Sequence, residues 1–514
     1  MNALQAIKTA TNVARTENGD KAYATTNSAC LDLFSLCGGM RNNIDDLRKL
    51  FVKAYCENAI LAIKILFYMR NIRGGLGERN SFRVLLQELA TYYPRTVKQI
   101  IYAVPEYGRW DDLLVLLDTS VKDDAIKLIK MQIELDKDAM KNGKEVSLLG
   151  KWLPSINSSK DAKNKAKIIM AALGMKAVEY RKLCTALRKE IKILEDYLRR
   201  KDYSFDYSKQ PSQAMLRYKK AFIRNDNERY SSFLHKVVEQ TEATARGEEI
   251  PEEEKVKLNT KTLYPYQIVG PLINRGWGGV CVNVSDDEKL ALEASWKSLD
   301  RSNFKSKTIV VRDGSGSMYD NYGDFSAINV ATSLALLFAE QLDGAYKNSF
   351  ITFSSRPQLI QIPDNADTLE RKLRFIEQFN EVANTNIAAV YELLYQVATN
   401  NDVPPEEMID RVLIISDMEF DYCAEDSEVS TFEFYKQKFA EAGYELPEIV
   451  FWNVRARDVH LPVTENEKGV KLVSGASANI FADVMSDDLK VMTPYEFMIK
   501  MLEPYAEFDK LEVA

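Results

Sequence analysis

The hydrophobic pattern of this chain changes once, near residue 303, and that change limits the folds available to it. Before it, apolar residues recur at helical spacing, as in "NSFRVLLQELATYYP" (80–94). The segment "ENAILAIKILFYM" (57–69) is apolar on nearly all sides, as a helix buried between other helices would be. Successive amphipathic helices with short polar joints predict a stacked helical array over residues 1–302.

After residue 303, short β-branched runs alternate with helical patterns. The runs are "KTIVVRD", "NSFITFSS", "RVLIISDM" and "PEIVFWNV", and the helical patterns lie near 325–342, 387–400 and 431–443. This alternation predicts an α/β domain over 303–490, with a parallel sheet covered on both faces. Residues 491–514 are expected to form a helix with an acidic tail. The fold class is therefore a multidomain α plus α/β protein.

Two polar stretches interrupt these patterns. Residues 241–262, "TEATARGEEIPEEEKVKLNTK", are typical of a surface loop between helices. Residues 283–307 are expected to be a linker containing one helical turn or more, so that the domain boundary falls near its end. His235 and His460 are the two histidines of the chain, and neither is expected to lie at a strand end.

Composition excludes several classes of protein. No apolar run approaches the roughly 20 residues that cross a bilayer, and the first residues have no apolar block typical of a signal peptide. The six cysteines are scattered without a C-x-x-C pair, which makes a zinc site an unfavoured interpretation. A cytoplasmic protein without membrane association is the expectation.

Charge is distributed unevenly along the chain. Residues 1–300 contain 49 Lys and Arg against 39 Asp and Glu, whereas residues 301–514 contain 19 against 36. Within 151–224 the balance is 19 basic against 7 acidic residues, a net charge of +12. Such a split indicates a first half that faces a polyanion. Lysine-rich helix faces that are merely solvated remain the alternative.

The stretch "VVRDGSGSMYD" ends a predicted buried strand on Asp313, Ser315 and Ser317. Thr385 precedes a predicted helix in "VANTNIAAV", and Asp417 ends a predicted strand in "LIISDMEFD". Strand ends meet at one edge of a parallel sheet, and two carboxylates with three hydroxyls suit Mg²⁺.

Other interpretations of these residues fit less well. A serine nucleophile would need a G-x-S-x-G elbow and a nearby histidine base, and a phosphate-cradling loop would need G-x-x-x-x-G-K-[ST]; the sequence has neither motif. The simplest alternative is that Asp313 caps a helix and the two serines are turn residues.

D-x-S-x-S followed by a threonine and an aspartate on alternating α/β elements resembles the von Willebrand factor A domain and its metal-ion-dependent adhesion site. The resemblance implies that Asp313, Ser315, Ser317, Thr385 and Asp417 are the metal ligands. The sequence departs from the family's pattern at Arg312, where a small or apolar residue is more usual, and at "NTN", where "GTN" is usual.

The first half contains, in order, "RNIRGGLGERNSFRVLLQEL", "VPEYGRWDDLL", "GKWLPS", "YRKLCTALRK", "PSQAMLRYKKAFIRND" and "LYPYQIVG". These stretches resemble the TROVE module, the HEAT-like helical-repeat ring of the Ro ribonucleoprotein autoantigen, in which an A domain likewise follows. "PEIVFWNVRA" and "GVKLVSGAS" resemble an uncharacterised branch of that architecture in plants, fungi, giant viruses and phages. The resemblance covers about residues 17–490 and implies binding of small structured RNAs and single-stranded RNA ends.

Basic side chains of the first half are the candidate RNA contacts, because arginine and lysine neutralise phosphates. They are Arg70, Arg73, Arg79, Lys151, Arg181, Lys182, Arg188, Arg217, Lys219 and Lys220. Trp152, Tyr180 and Tyr218 lie among them and could stack on bases, although the core is an alternative place for Trp152. The glycines after Arg73 could admit a ligand to the backbone or could simply end a helix.

The sequence thus predicts a non-enzymatic RNA-binding scaffold with a divalent-metal adhesion site, most simply for Mg²⁺. The main alternative is a protein–protein adhesion or assembly factor, including a component of a viral or phage particle, whose metal captures an acidic residue of its partner. An enzyme acting on RNA or protein is disfavoured by the scarcity of histidine and of catalytic motifs.

Overall fold

Helices follow one another through the first three hundred residues. The computed structural model describes residues 11–273, 284–301, 307–319, 321–322, 325–354, 356–380, 386–420, 431–486 and 492–513. After a short hairpin of β1 (Ala14–Arg15) and β2 (Lys21–Ala22), the α-helices are α1 (Ala29–Leu36), α2 (Ile44–Glu57), α3 (Ala59–Arg70), α4 (Asn80–Tyr92), α5 (Pro94–Ile100), α6 (Ala103–Tyr107), α7 (Lys122–Lys141), α8 (Leu149–Trp152), α9 (Lys160–Leu173), α10 (Ala177–Ile191), α11 (Leu194–Arg199), α12 (Ser212–Asn225), α13 (Asn227–Ala245), α14 (Pro265–Val269) and α15 (Asp286–Lys297). Short 3₁₀ helices lie at Trp110–Asp118, Tyr207–Lys209 and Glu252–Glu254.

The predicted helical patterns correspond to these helices. In α4 the side chains at the predicted spacing, from Phe82 to Leu89, are buried. Helix α3 is buried at every position from Ala62 to Arg70, as its all-round apolar sequence predicts. Both predictions are confirmed. The apolar stripe of a helix decides which of its faces packs inward, so the sequence pattern predicts which side chains are buried.

Three stretches differ from expectation. Residues 110–118 form a 3₁₀ helix, although Trp110, Leu113, Leu114 and Leu117 recur at α-helical spacing. The expected loop at 241–262 begins later, because α13 continues to Ala245. The expected linker contains the twelve-residue helix α15, in which Trp296 is 1% exposed. The Trp296 indole Nε1 donates to Glu340 Oε2 at 3.0 Å, so this helix is packed against the α/β region rather than extended.

The second part of the chain is an α/β region. Its strands are β3 (Thr308–Asp313), β4 (Asn321–Tyr322), β5 (Phe325–Ser326), β6 (Ser349–Phe353), β7 (Leu359–Gln361), β8 (Arg411–Ser416), β9 (Glu448–Asn453) and β10 (Val470–Ser474). Its α-helices are α16 (Ala327–Gln341), α17 (Leu369–Ile376), α18 (Ile387–Asn400), α19 (Thr431–Glu441), α20 (Phe481–Met485) and α21 (Pro494–Met501), with 3₁₀ turns at Gly316–Tyr319, Gly344–Tyr346, Glu377–Phe379, Pro405–Glu407 and Glu503–Lys510.

Within the described ranges, six of these strands form one sheet in the order β10-β9-β8-β3-β6-β7. The four predicted strands β3, β6, β8 and β9 are confirmed, and they run parallel to one another. Two strands were not predicted: β10 extends the parallel part, and β7 pairs antiparallel with β6. The sheet is therefore mixed, not parallel throughout as expected, and its antiparallel strand lies at the edge.

The two parts of the chain share one hydrophobic core. Residues of α1 pack on β10, where a Cβ added to Gly38 would lie 2.7 Å from the Ser474 carbonyl. The expected acidic tail folds back onto the first helices, since the Phe508 ring stacks on Phe67 at 4.6 Å and Tyr107 donates to Glu507 at 2.6 Å. A separate cluster involves residues 194–294. None of the helices described is both long enough and apolar enough to span a bilayer.

Candidate metal centre and basic surface

Asp313 and Asp417 lie at the carboxyl ends of neighbouring strands. The chain leaves β3 toward β6 on one side and later returns to β8 on the other, so the order of the sheet reverses between β3 and β8. Ligand sites of parallel α/β sheets lie at such a reversal. Both carboxylates are fully buried, Ser315 is buried, and Ser317 is half-buried.

Hydrogen bonds hold the first loop in a compact conformation. The Ser315 amide donates to Asp313 Oδ1 at 2.8 Å, and the Ser315 and Ser317 hydroxyls lie 3.1 Å apart. Ser416, the last residue of β8, donates its hydroxyl to Asp313 Oδ2 at 2.5 Å. Four of the five predicted ligands belong to these two strand ends, whereas Thr385 lies outside the described residues.

The charges of this site are not balanced internally. Arg457 contacts Asp417 Oδ2 at 3.2 Å. Burial, and then the nearby Asp417 carboxylate, raise the pKa of Asp313 to about 7. Two buried carboxylates beside two serine hydroxyls are the oxygen donors that a hard divalent cation prefers, so the residues present fit Mg²⁺.

Arg312, the departure from the usual pattern, is explained by its partners. The side chain is 1% exposed, and its Nε donates to Thr332 Oγ1 at 3.1 Å. One terminal nitrogen donates to Asn380 and lies 3.6 Å from Glu377 Oε1. The arginine thus ties the first loop to the segment that precedes residues 381–385.

A second acidic group beside the centre was missed from the sequence. Carboxylate oxygens of Glu17, Glu419 and Asp458 lie within 4.8 Å of one another. Arg457 occupies the same neighbourhood, at 2.7 Å from Glu17. The sequence contained a signal for part of this group. Asp458 lies in "VRARDVH", which directly follows β9, and ligand sites of such sheets lie at the carboxyl ends of the strands.

His460 corrects one expectation. It was expected to lie away from strand ends, but its Nε2 is 3.2 Å from the Met418 carbonyl oxygen and 3.7 Å from Glu419 Oε2. The imidazole is buried beside the loop that follows β8. It contacts the backbone of that loop and Glu419, and it therefore stabilises the loop's conformation.

The arginines of the 70–79 loop have different environments. Arg70 is 1% exposed, and its Nε donates to Asp112 Oδ2 at 2.8 Å, so this side chain stabilises the fold and is not an exposed RNA contact as predicted. Arg73 and Arg79 are exposed, and Arg79 pairs with Asp111 at 2.9 Å.

The glycines of the same loop bring it close to the protein itself. Gly77 has a φ of +68°, and a Cβ there would lie 2.2 Å from the Tyr264 hydroxyl. At Gly75 a Cβ would lie 2.1 Å from the Tyr68 carbonyl oxygen. These glycines therefore permit close packing against aromatic neighbours, which is a third role beside the two that the sequence left open.

Helix α10 presents an exposed basic face. Arg181, Lys182 and Lys189 are exposed along it. Arg188 is turned inward instead: it donates to the carbonyl oxygens of Gly150 at 3.0 Å and Leu153 at 2.8 Å. Helical spacing alone could not distinguish Arg188 from the exposed residues, because the two carbonyls belong to a segment distant in sequence.

The remaining predicted contacts divide between Glu195 and Glu288, except for Arg217. Lys151 lies 3.6 Å from this carboxylate, and Tyr218 donates to it at 3.4 Å, so α8, α11 and α12 meet here. Lys219 and Lys220 both pair with Glu288, at 3.1 and 3.5 Å, while Arg217 is exposed.

The aromatic residues are less accessible than predicted. Tyr180 is buried and donates to the Pro154 carbonyl oxygen at 2.9 Å. Trp152 is half-buried, and the Arg109 guanidinium lies 4.9 Å from its ring centroid. Through the hydrogen bonds of Arg188 to Gly150 and Leu153, the structure brings Lys151 close to α10.

Comparisons with other proteins give families without a described function. Residues 307–501 match a model described as a domain of unknown function (DUF7788), and residues 16–133 and 173–299 match another (DUF2828). The chain is 31% identical to the uncharacterized protein L728 of Acanthamoeba polyphaga mimivirus over 531 residues, covering 96% of this chain and 88% of that protein.

A solved structure, the Deinococcus radiodurans RO (RSR) protein, is 13% identical with a TM-score of 0.35, over 91% of this chain and 92% of that one. A superposition of that quality is too weak to transfer any property. The identity to L728, in contrast, is high over nearly the whole length, and this chain belongs to the same family as L728.

Proposed function

We propose that this member of the L728 family is a non-enzymatic RNA-binding scaffold whose α/β region, of von Willebrand factor A type, holds a divalent cation. The observation that carries the RNA part is the exposed face formed by Arg181, Lys182 and Lys189 of α10. Among the residues described, no carboxylate forms an ion pair with any of the three. Their charges are available to a ligand.

A polyphosphate backbone is the ligand that suits such a face. The surrounding segment, 151–224, has a net charge of +12, far from the balance of the chain as a whole. Binding of basic side chains to phosphates releases counterions, so affinity comes from many exposed cations and falls steeply with salt. Structured or single-stranded RNA would be held by its backbone, with limited base stacking because the nearby aromatics are mostly buried.

Support for the cation comes from the donor set. Asp313, Ser315, Ser317 and Asp417 would supply oxygen ligands, and Thr385 completes the proposed set. A bound cation would offer a coordination position to an external oxygen, from a carboxylate or a phosphate. The order of the strands, with an antiparallel edge strand, supports the assignment to the A-domain type, and the succession of α-helices before it supports a HEAT-like array.

The RNA proposal is tested by reversing three charges, Arg181→Glu, Lys182→Glu and Lys189→Glu, in the full chain. We expect the affinity for a single-stranded RNA, measured by filter retention at 50 mM salt, to fall at least roughly 100-fold because phosphate contacts become repulsive. The matched control reverses three exposed charges of the α/β region, Lys347, Arg356 and Arg371. Equal retention by both folded triple variants would overturn the proposal.

A second candidate function is capture of an acidic residue of a partner protein through the cation. The half-buried Ser317 hydroxyl favours it, because it places one side of the centre near solvent. An Asp313→Ala variant that loses a partner in pull-down assays with Mg²⁺, while its RNA retention is unchanged, would assign the two halves of the protein separate roles.

A further inference from the structure

A recess lined by arginines lies between the helical part and the α/β region. It measures about 450 Å³ including its open mouth, and five separate stretches of the chain contribute to it. Its polar lining includes Arg79, Arg109, Gln213, Thr262, Tyr264 and Asn479, together with the buried Arg70 and Ser477. Its lining includes neither the exposed cations of α10 nor the strand-end carboxylates.

Positive charge exceeds negative charge beside this recess. Arg70 contacts Asp112 at 2.8 Å, Arg79 contacts Asp111 at 2.9 Å, and Arg83 contacts both aspartates at 2.5–2.6 Å. Three guanidinium groups therefore share two carboxylates. These two carboxylates therefore cannot also neutralise a fourth arginine beside the recess.

Arg109 is that fourth arginine. It is half-buried, stacked on Trp152 with 4.9 Å between guanidinium carbon and ring centroid, and it lines the recess. In the part of the chain that the structure describes, no carboxylate pairs with it. Burial and then the neighbouring Arg70 lower the pKa of Arg109, as expected where like charges are crowded. Stacking on an indole orients a guanidinium and leaves its edge free to donate.

The neutral residues of the recess add hydrogen-bonding capacity without adding negative charge. Asn479, in the segment after β10, is exposed at the rim. The Tyr264 hydroxyl donates to the Leu76 carbonyl oxygen at 3.0 Å, and Gln213 donates to the Thr262 carbonyl oxygen at 2.6 Å, so these two hold the walls in place. Arg79 keeps nearly half of its side chain exposed although it pairs with Asp111.

We propose that this recess binds a phosphate group, held by the guanidinium groups of Arg79 and Arg109 with Asn479 as a neutral donor. A tetrahedral dianion accepts hydrogen bonds from several directions, which matches donors that converge from separate segments. Arginine forks suit phosphate oxygens, and a phosphate supplies the counter-charge that Asp111 and Asp112 leave incomplete. The phosphate can come from the end of an RNA strand or from a small phosphate ester. The site does not depend on the proposed α10 surface.

Calorimetric titration of the full chain with inorganic phosphate, at constant ionic strength, tests the proposal. The wild-type protein should bind one phosphate saturably. Arg109→Gln should weaken that binding at least roughly tenfold, because a charged hydrogen-bond donor is lost. The control is Arg371→Gln, an exposed arginine of α17 paired with Asp367, which should bind as the wild type does. Failure of the wild type to bind, or equal binding by Arg109→Gln, would overturn the proposal.

Asn479→Asp gives a second variant that does not disturb the arginine cluster. The residue is exposed, so the substitution should leave thermal unfolding unchanged, and the added negative charge should repel phosphate by a similar factor. Undiminished phosphate binding by this variant would remove Asn479 and the rim from the site and so contradict the proposal as stated.

The source of the phosphate is distinguished with two RNA oligonucleotides that differ in a 5′-phosphate. A preference of the wild type for the 5′-phosphorylated strand that disappears in Arg109→Gln assigns the recess to a strand end. Equal affinity for both strands, with inorganic phosphate still bound, assigns it to a small phosphate ester. The α10 triple variant should retain phosphate binding, so failure of the RNA proposal and failure of this one give different results.

Discussion

The two ends of the central parallel sheet bury charges in opposite balance. At the amino ends, Arg411 donates to Glu448, and Lys471 lies 2.7 Å from the same carboxylate. At the carboxyl ends, Asp313 and Asp417 are equally buried, and Arg457 offsets part of their charge. The amino end therefore places one carboxylate between two cations, whereas the carboxyl end keeps negative charge that an external cation can offset.

The pKa values at the two ends differ in the same sense. Helix α16 returns from the carboxyl end to the amino end, where the Asn348 amide donates to the Ala339 carbonyl oxygen at 2.9 Å. Burial raises the pKa of Glu340 near that end, but Arg301 and Lys372 lower it below its ordinary value. At the opposite end, burial and Asp417 raise the pKa of Asp313 to about 7. The ionised form of a buried carboxylate is thus stabilised at the amino end and destabilised at the carboxyl end.

The largest expected effect comes from removing the carboxylate that neutralises the amino end. Glu448→Ala removes the carboxylate shared by the buried Arg411 and Lys471, and it should lower the free energy of unfolding by about 3–5 kcal/mol. Urea denaturation measures the loss, which should be the same with and without Mg²⁺. Glu503→Ala, which removes an exposed partner of Lys500, should cost about 0.5 kcal/mol or less. Equal losses in the two variants would mean that Glu448 stabilises the fold no more than an exposed ion pair does.

The next largest effect is the stabilisation by Mg²⁺ at the carboxyl end of the sheet. Magnesium at about 100 times its dissociation constant should stabilise the wild type by about 2.7 kcal/mol. Asp313→Asn should abolish that gain, and in EDTA it should be at least as stable as the wild type, because the substitution removes repulsion with Asp417. Thermal unfolding with Mg²⁺ or EDTA checks both statements. The control is Asp367→Asn, an exposed carboxylate. A full magnesium response in Asp313→Asn would contradict the proposed ligand set.

The smallest effect is a pH dependence at the amino end. Because Glu340 has a lowered pKa in the folded protein, its contribution is present above its unfolded value of about 4.5 and is lost as pH falls through the folded pKa. Glu340→Gln should destabilise by about 1–2 kcal/mol at pH 7. The difference from wild type should shrink progressively below about pH 4.5 in denaturation curves. A difference that stays constant with pH would show that the loss is one of packing and not of charge.

The predictable part of the fold is the part fixed by local patterns. Strands β3, β6, β8 and β9 are continuous β-branched runs between helical patterns, and all four were predicted. Strand β7 is only three residues long with both end residues exposed, so it has no buried run to recognise. Strand β10, "VKLVS", contains a lysine whose burial depends on Glu448 of a neighbouring strand. Such a partner becomes visible only when the strands are paired.

The sequence predicted the acidic residues of the candidate site but not the basic residues that pair with them. Asp313 and Asp417 follow from their positions after strands, whereas Arg457 reaches Asp417 from the loop after another strand. Arg70 and Arg188 show the same limit in the helical part. Each looks like an exposed cation in sequence, yet the first pairs with Asp112 and the second with backbone carbonyls. Long arginine side chains find partners far along the chain, and local spacing does not record them.

The stacking of Phe508 on Phe67 determines when the first helices can finish folding. During synthesis at roughly 5–20 residues per second, helix α3 leaves the ribosome tens of seconds before residues 503–510 exist. Until then the apolar side that they cover is open to water and to other chains. The contact between Phe67 and Phe508 can therefore form only after the α/β region has been synthesised.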